Sequence, residues 1–249
     1  MLQAPPAGRL VLVADRLSAM DDFFRFPHTP HIAWLGKGVP RDDKVLGPDE
    51  VAVLLSVPVV VEEKLDGANV GFSVGPIGRL RAQNRGQYLI EPYAGQFQRL
   101  PEWMTLHGSG LREALGENLI AFGEWCAARH SLDYPALPDW WLLFDVYDRE
   151  EGRFWSTRRR DAFASTLGLA VVPRIKVGPQ TVATLMDGIE HWMSRCRNGG
   201  LEGVVVRRED DDWLIARGKL VRADFTQAID SHWRTRKLEW NRVKWATNE

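Results

Sequence analysis

Cysteine is almost missing from this chain: Cys126 and Cys196 are the two thiols in 249 residues. Nothing spaces them as metal ligands or as a disulfide framework. A disulfide-stapled scaffold is therefore excluded, and a reducing interior with the thiols as core filler is expected. The six histidines form no cluster with cysteine, so no structural zinc is expected. Long apolar runs are lacking as well. Leu10-Val11-Leu12-Val13-Ala14, followed by Asp15 and Arg16, is too short for a secretory signal, and no stretch approaches membrane-spanning length. Nor does one sign of charge dominate. A formal net charge of −1 excludes a strongly basic nucleic-acid binder by bulk charge. The expectation is a cytoplasmic protein with no membrane partner.

What is present is ordinary globular composition, 45% hydrophobic and 26% charged, at a length that suits one principal domain. Charge is uneven along it. Residues from Glu150 onward carry 18 Lys/Arg against 14 Asp/Glu, so the first part is the acidic one. Such a basic C-terminal part suits an anionic partner, and a solvated charged face accounts for it equally well.

Residues 21–48, rich in Pro, Gly, His and Asp, should be irregular, with a helical turn from Gly47 to Ser56. Strands are expected at 57–64, 69–74, 79–83, 118–125, 140–147, 204–208 and 213–217. Helices are expected over 92–115, over 157–167 with Thr157 as its cap, over 179–196, and through the tail 224–245. The 179–196 helix would set Val182, Leu185, Ile189, Trp192 and Cys196 on one stripe. Strands and helices mix without regular βαβ alternation, which argues α+β with antiparallel sheets.

Chemistry centres on Glu63-Lys64-Leu65-Asp66-Gly67, directly after the apolar run Val57-Pro58-Val59-Val60-Val61. A lysine leaving a buried strand at a tight turn can be stripped of water and held still, the conditions that make an amine nucleophilic. Four more segments follow in order: Phe122-Gly123-Glu124-Trp125, Phe144-Asp145-Val146-Tyr147, Glu202-Gly203-Val204-Val205-Val206-Arg207 and Lys219-Leu220-Val221-Arg222. Together they resemble motifs I, III, IIIa, IV and V of the covalent nucleotidyltransferase superfamily, the ATP-dependent ligases and mRNA capping enzymes. The resemblance covers roughly residues 60–222. It implies a nucleotidyltransferase (adenylyltransferase) fold, antiparallel sheets flanked by helices. Residues 1–222 would form that domain, including an irregular N-terminal extension (1–56), and 223–249 a basic, Trp-rich helical tail.

The resemblance also implies roles. Lys64 would attack the α-phosphorus of ATP and hold AMP as a phosphoramidate. An ordinary lysine, with a pKa near 10.4, is protonated at neutral pH. Desolvation, Lys219 or a bound metal is expected to push that value down. Asp66, Glu124 and Glu202 would serve catalysis and hold Mg²⁺ (or Mn²⁺), an ion bound by few carboxylates plus phosphate. Glu63, Asn69, Arg85, Phe144, Lys219 and Arg222 join Lys64 and Glu124 as nucleotide-binding residues. Lys219 would stabilise the α-phosphate chiefly in the transition state. Phe144 lies in the apolar run Trp141-Leu142-Leu143-Phe144 and suits either adenine stacking or core packing. Asp145 could orient a ligand or satisfy backbone donors, and Arg85 could bind phosphate or be a surface hairpin arginine.

Two residues beyond the motif I glycine stands Asn69, where DNA ligases and capping enzymes usually carry arginine. This asparagine, and the Phe-Gly-Glu form at 122–124, resemble RNA ligases of the RNA ligase 2 type. RNA with 3′-OH and 5′-phosphate ends is the implied partner. Alternatives are a minimal DNA ligase sealing nicks and a non-catalytic nucleotide-binding relative. Departures exist: Val221 stands where relatives often carry lysine, leaving Arg222 as the next cation, and Asp66 stands where some relatives carry histidine. Neither the residues before Lys64 nor those after Arg222 suffice for an OB domain. Substrate grip would come from the domain itself, a protein partner, or the tail, whose Trp233 and Trp240 lie on one expected helical face.

Overall fold

The computed structural model describes residues 23–37, 44–228 and 238–244. Two antiparallel sheets carry the architecture. The first, in strand order β7-β1-β8-β9, is built from β1 (Val59–Lys64), β7 (Arg174–Gly178), β8 (Gly203–Glu209) and β9 (Leu214–Val221). The second, in order β3-β2-β4-β5-β6, is built from β2 (Ala68–Val74), β3 (Leu80–Gln83), β4 (Leu119–Trp125), β5 (Trp141–Asp148) and β6 (Arg153–Phe154). The α+β expectation is met. The chain changes sheets at Leu65-Asp66-Gly67, so the end of β1 and the start of β2 meet where the sheets adjoin.

Each sheet has one oily face, set by the two-residue period of its strands. On the first sheet Val59, Val61, Val204, Val206 and Leu220 form a buried core with Leu54 of α1 (Pro48–Leu54) and with Leu185 and Ile189 of α4 (Val182–His191). On the second, Val70, Phe72, Val74 and Ala121 pack on Leu100, Trp103 and Leu111 of α2 (Leu100–Leu115) and join Ala164 of α3 (Thr157–Leu167). The other faces turn toward one cavity. There the first sheet presents transverse rows: Glu62 pairs with Val205, Val205 with Lys219, and Lys219 with His31. The next row runs Lys64, Gly203, Val221.

A buried ionic network ties the sheets together. Arg160 and Arg207, each 1% exposed, meet Glu62 of β1. Arg160 grips its carboxylate through two bonds of 2.6 and 3.1 Å. Arg207 reaches Asp145 of β5 at 2.9 Å and Glu209 at 2.6 Å, and Arg217 closes on the other oxygen of Asp145. Asp145 thus pairs two arginines, at the wall of the cavity.

Several expected elements shift. The helix over 157–167 is capped by Ser156, whose Oγ accepts from the Arg159 amide, while Thr157 donates to Glu209. The expected 179–196 helix is confined to Val182–His191, because Trp192 leaves the helix and folds its ring against Gly188. Cys196 therefore lies off that stripe, buried with Leu65 and Cys126. Strand β9 runs on from the expected 213–217 strand through Lys219 to Val221. Short β6 and edge strand β7 were not anticipated, since exposed Arg174 and Lys176 leave β7 little apolar alternation.

The tail departs most. Among its described residues Ala223–Ala228 is helical (α5) and 238–244 is not; 229–237, with Trp233, and 245–249 lie outside the described residues. The 238–244 strip pairs Trp240 with Ala128 and Val243 with Leu137. Trp240 docks on the domain, with the Arg99 guanidinium over its ring at 4.4 Å and over Trp140 at 4.8 Å.

Candidate active site

The cavity between the sheets measures about 770 Å³. Its walls include Lys64, Asn69, Arg85, Glu124, Phe144, Glu202 and Lys219, and Glu63 contributes as well. Strand geometry brings most of these together. Lys64 ends β1 beside Gly203, which puts Glu202 next to it: Lys64 Nζ donates to Glu202 Oε1 at 2.6 Å. Across the sheet junction Asn69 of β2 pairs with Glu124 of β4. Gly67 between them has no room for a side chain, since an added Cβ would lie 2.6 Å from the Trp125 carbonyl. Its amide donates to Glu124 Oε1 at 3.1 Å.

Phe144 owes its direction to a bulge. Phe122 pairs with Asp145 and Gly123 with Leu143, leaving Phe144 as the extra residue of β5. A bulge re-aims side chains, and here Phe144 and Asp145 both reach the cavity wall. Phe144 also meets the edge of Phe26, ring centres 5.3 Å apart. Packing and cavity lining thus coexist in one ring. Arg85 is presented by an Asx turn: Asn84 Oδ1 accepts from the Gly86 and Gln87 amides at 2.8 and 2.9 Å.

The electrostatics reverse one expectation. Burial pulls the Lys64 ammonium down, but Glu202, Glu124 and Asp66 outweigh it and hold its pKa above the ordinary value. The charges that dominate Lys64 are these carboxylates and not Lys219. Burial also pushes Glu124 up to about 7 against the pull of Lys64 and Arg85. Glu202 rises to about 7 for the same reason, opposed first by Lys64.

Three placements correct the sequence reading. Asp66 is absent from the cavity lining: its Oδ2 accepts from the Ser131 and Leu132 amides at 2.7 and 2.8 Å. It anchors the turn, so a direct metal-ligand role for it is not supported. Arg222 is likewise turned from the cavity and pairs with Asp224 at 3.1 Å. Glu63 points to the opposite side of β1 from Lys64, where it accepts from the Arg195 amide at 3.0 Å. That leaves Glu124 and Glu202 for a divalent cation. Among the described residues no group of three or more His, Cys, Asp or Glu could hold a metal ion. The pair fits an ion held mainly by water and substrate phosphate. Glu202 Oε2 and both polar atoms of the Asn69 amide are buried without a hydrogen-bond partner, which fits them to an incoming polar group.

Sequence reasoning missed one wall. The segment 23–37 contributes Phe26, His28, Thr29, His31, Trp34 and Lys37. It lies along β9, where the Lys219 amide donates to Pro30 and the Ile32 amide to Lys219, each at 2.8 Å. The alternation of histidine and proline at 27–31 was the available signal.

The sequence model of the RNA ligase family matches residues 57–221. The chain belongs to the RNA ligase family. The match begins just before β1 and ends with β9, so it takes in both sheets and the cavity residues they carry. Solved structures agree on the fold. An RNA ligase mutant from Naegleria gruberi with ATP and Mn superposes at a TM-score of 0.58 with 17% identity, over 72% of this chain and 54% of that one. An archaeal ATP-dependent RNA ligase gives 0.55 with 22% identity, over 80% of this chain and 48% of that one. At such identities the likeness establishes the nucleotidyltransferase fold alone. The chain spans about half the length of these two structures. No curated protein matches the sequence significantly. No helix among the described residues is long and apolar enough to cross a membrane.

Proposed function

We propose that this family member is an ATP-dependent RNA ligase joining 3′-OH and 5′-phosphate ends. The observation that carries this reading is the convergence of Lys64, Asn69, Glu124, Phe144, Glu202 and Lys219, drawn from five separate motif segments, on one cavity. Lys64 Nζ attacks the α-phosphorus, the N–P bond forms, and pyrophosphate leaves with the electron pair. AMP then passes to an RNA 5′-phosphate, and a 3′-hydroxyl displaces it. All three steps are in-line displacements at phosphorus and can reuse the same cations.

Phe144 and Val205 offer apolar surface on facing walls for a base. Arg85 and Lys219 supply positive charge for phosphate. A divalent cation, when bound near Glu124 and Glu202, would screen charge on the phosphates. With those carboxylates so engaged, their pull on the Lys64 ammonium would weaken, leaving burial opposed by Asp66. Asn69, able both to donate and to accept, suits an RNA end beside the adenylate. Substrate RNA, the cytoplasmic setting and any protein partner that adds RNA grip belong to the same proposal.

Incubation with α-labelled ATP and magnesium tests the reading. The unaltered protein should gain one AMP, mapped to Lys64, and Lys64→Ala should gain none. Undiminished labelling of Lys64→Ala would refute the assignment. Nicked duplexes with RNA or DNA on the 3′ side then separate RNA from DNA joining; RNA is the expected preference.

A further inference from the structure

The segment 23–37 forms a strap over one side of the cavity, and its cavity-lining side chains have a distinct chemistry. His28, Thr29, His31, Trp34 and Lys37 all carry N–H or O–H groups, and none is a carboxylate. Of the lining carboxylates, Glu124 and Glu202 gather at the sheet junction around Lys64, while Glu62 and Asp145 are paired with Arg160, Arg207 and Arg217. One cavity thus has a region suited to a cation and a region suited to an anion. We propose that His31, Trp34 and Lys37 of the strap, lying beside Lys219, seat the pyrophosphate portion of ATP, and that these strap residues serve the first step alone. This rests on the ligase reading above.

Three observations carry it. Strand pairing sets His31 beside Lys219, in the row that begins with Glu62 and Val205. Paired residues place their side chains on one face, so strap and β9 present imidazole and ammonium together. Next, Trp34 Nε1 is buried without a hydrogen-bond partner. An indole N–H is a donor only, and a buried unsatisfied donor within a cavity wall calls for an acceptor oxygen. The His31 ring stands edge-on to that indole, 4.9 Å between centres at 85°, and fixes its direction. Finally, the strap is held by backbone bonds, including His31 amide to Lys44 carbonyl and Leu46 amide to His31 carbonyl at 2.8 Å each. Its course along β9 is thereby set by the main chain.

The chemistry then divides by step. When Lys64 attacks, the bond from the α-phosphorus to the bridging oxygen breaks, and the electron pair departs on pyrophosphate. The amine proton is released to solvent. Donors placed around that leaving group stabilise charge as it develops. In sealing, the leaving group is AMP and no pyrophosphate exists, so the strap has nothing to hold.

The test uses Lys37→Ala, an exposed position, and Trp34→Phe, which keeps ring packing. Three measurements are compared with the unaltered protein: AMP labelling from ATP, discharge of purified lysyl-AMP protein by inorganic pyrophosphate, and sealing of pre-adenylylated RNA. Loss of a hydrogen bond to a charged group should raise the pyrophosphate needed for half-discharge about tenfold, slow labelling similarly, and leave sealing within about twofold. Unchanged discharge, or equal loss of all three activities, overturns the proposal and leaves the ligase reading standing. Failure of the unaltered protein to acquire AMP at all overturns both.

Discussion

Asn241 lies far from Lys64 in sequence yet supports its turn. The residue is 2% exposed. Its Nδ2 donates to the Cys126 carbonyl at 2.7 Å and its Oδ1 accepts from the Tyr134 amide at 2.9 Å. The loop so held returns the favour to motif I: the Ser131 and Leu132 amides bind Asp66, and the Asp66 amide donates to the Tyr134 hydroxyl at 2.9 Å. Asn241→Ala strands the Cys126 carbonyl and the Tyr134 amide, and also removes a longer bond of 3.3 Å to the Ala128 carbonyl. Each such orphan costs about 1–3 kcal/mol, so a loss of about 2–6 kcal/mol is expected. That is a large fraction of a typical domain's stability. Equilibrium urea unfolding measures it, with the midpoint falling and the slope unchanged. Asn241→Asp should cost at least as much, because a carboxylate oxygen would then face the Cys126 carbonyl. A loss below about 1 kcal/mol for both variants would show that water replaces the side chain and that the strip is not a latch.

Other expectations concern the cavity itself. Phe144→Ala should weaken ATP binding by about 1–3 kcal/mol, the worth of one base–aromatic stack, while Phe144→Tyr should retain most of it; titration calorimetry distinguishes them, and equal binding by Phe144→Ala would remove the ring from the base site. Glu124 and Glu202 have pKa values lifted from 4.5 to about 7, so between those values the folded state holds more protons than the unfolded chain. Their contribution to stability is full below pH 4.5 and is lost as pH rises through about 7. Glu202→Gln should flatten that slope in thermal melts across the window, and an unchanged slope would disprove the assignment.

How much of this was legible in the sequence follows from the range of the interactions involved. Lys64, Glu124 and Glu202 were legible because each sits at a strand end, where local spacing and apolar runs decide placement. The Asp66 carboxylate was not, since its partners are amides of residues 131 and 132, set by a loop that the C-terminal strip holds. The ambiguity of Phe144 was real: a run of four apolar residues cannot reveal a bulge created by pairing with β4. The tail misled for a related reason. Tryptophans seven apart fit a helix, yet 238–244 bonds through its main chain to residues 127–137. His31 and Trp34 stayed hidden because β9, the strand that orients them, comes some 190 residues later.

The transverse row from Glu62 to His31 constrains how this protein can change. Side chains along β8 and β9 alternate, so deleting or inserting one residue would rotate Val205 and Lys219 out of the wall and turn Val204 or Leu220 into it. Replacement of single residues leaves that alternation intact; altered length does not. Tolerance of added or lost residues should therefore be confined to the acidic turn Asp210-Asp211-Asp212 between the two strands, and a deletion scan that found active clones within Val204–Arg208 would contradict this.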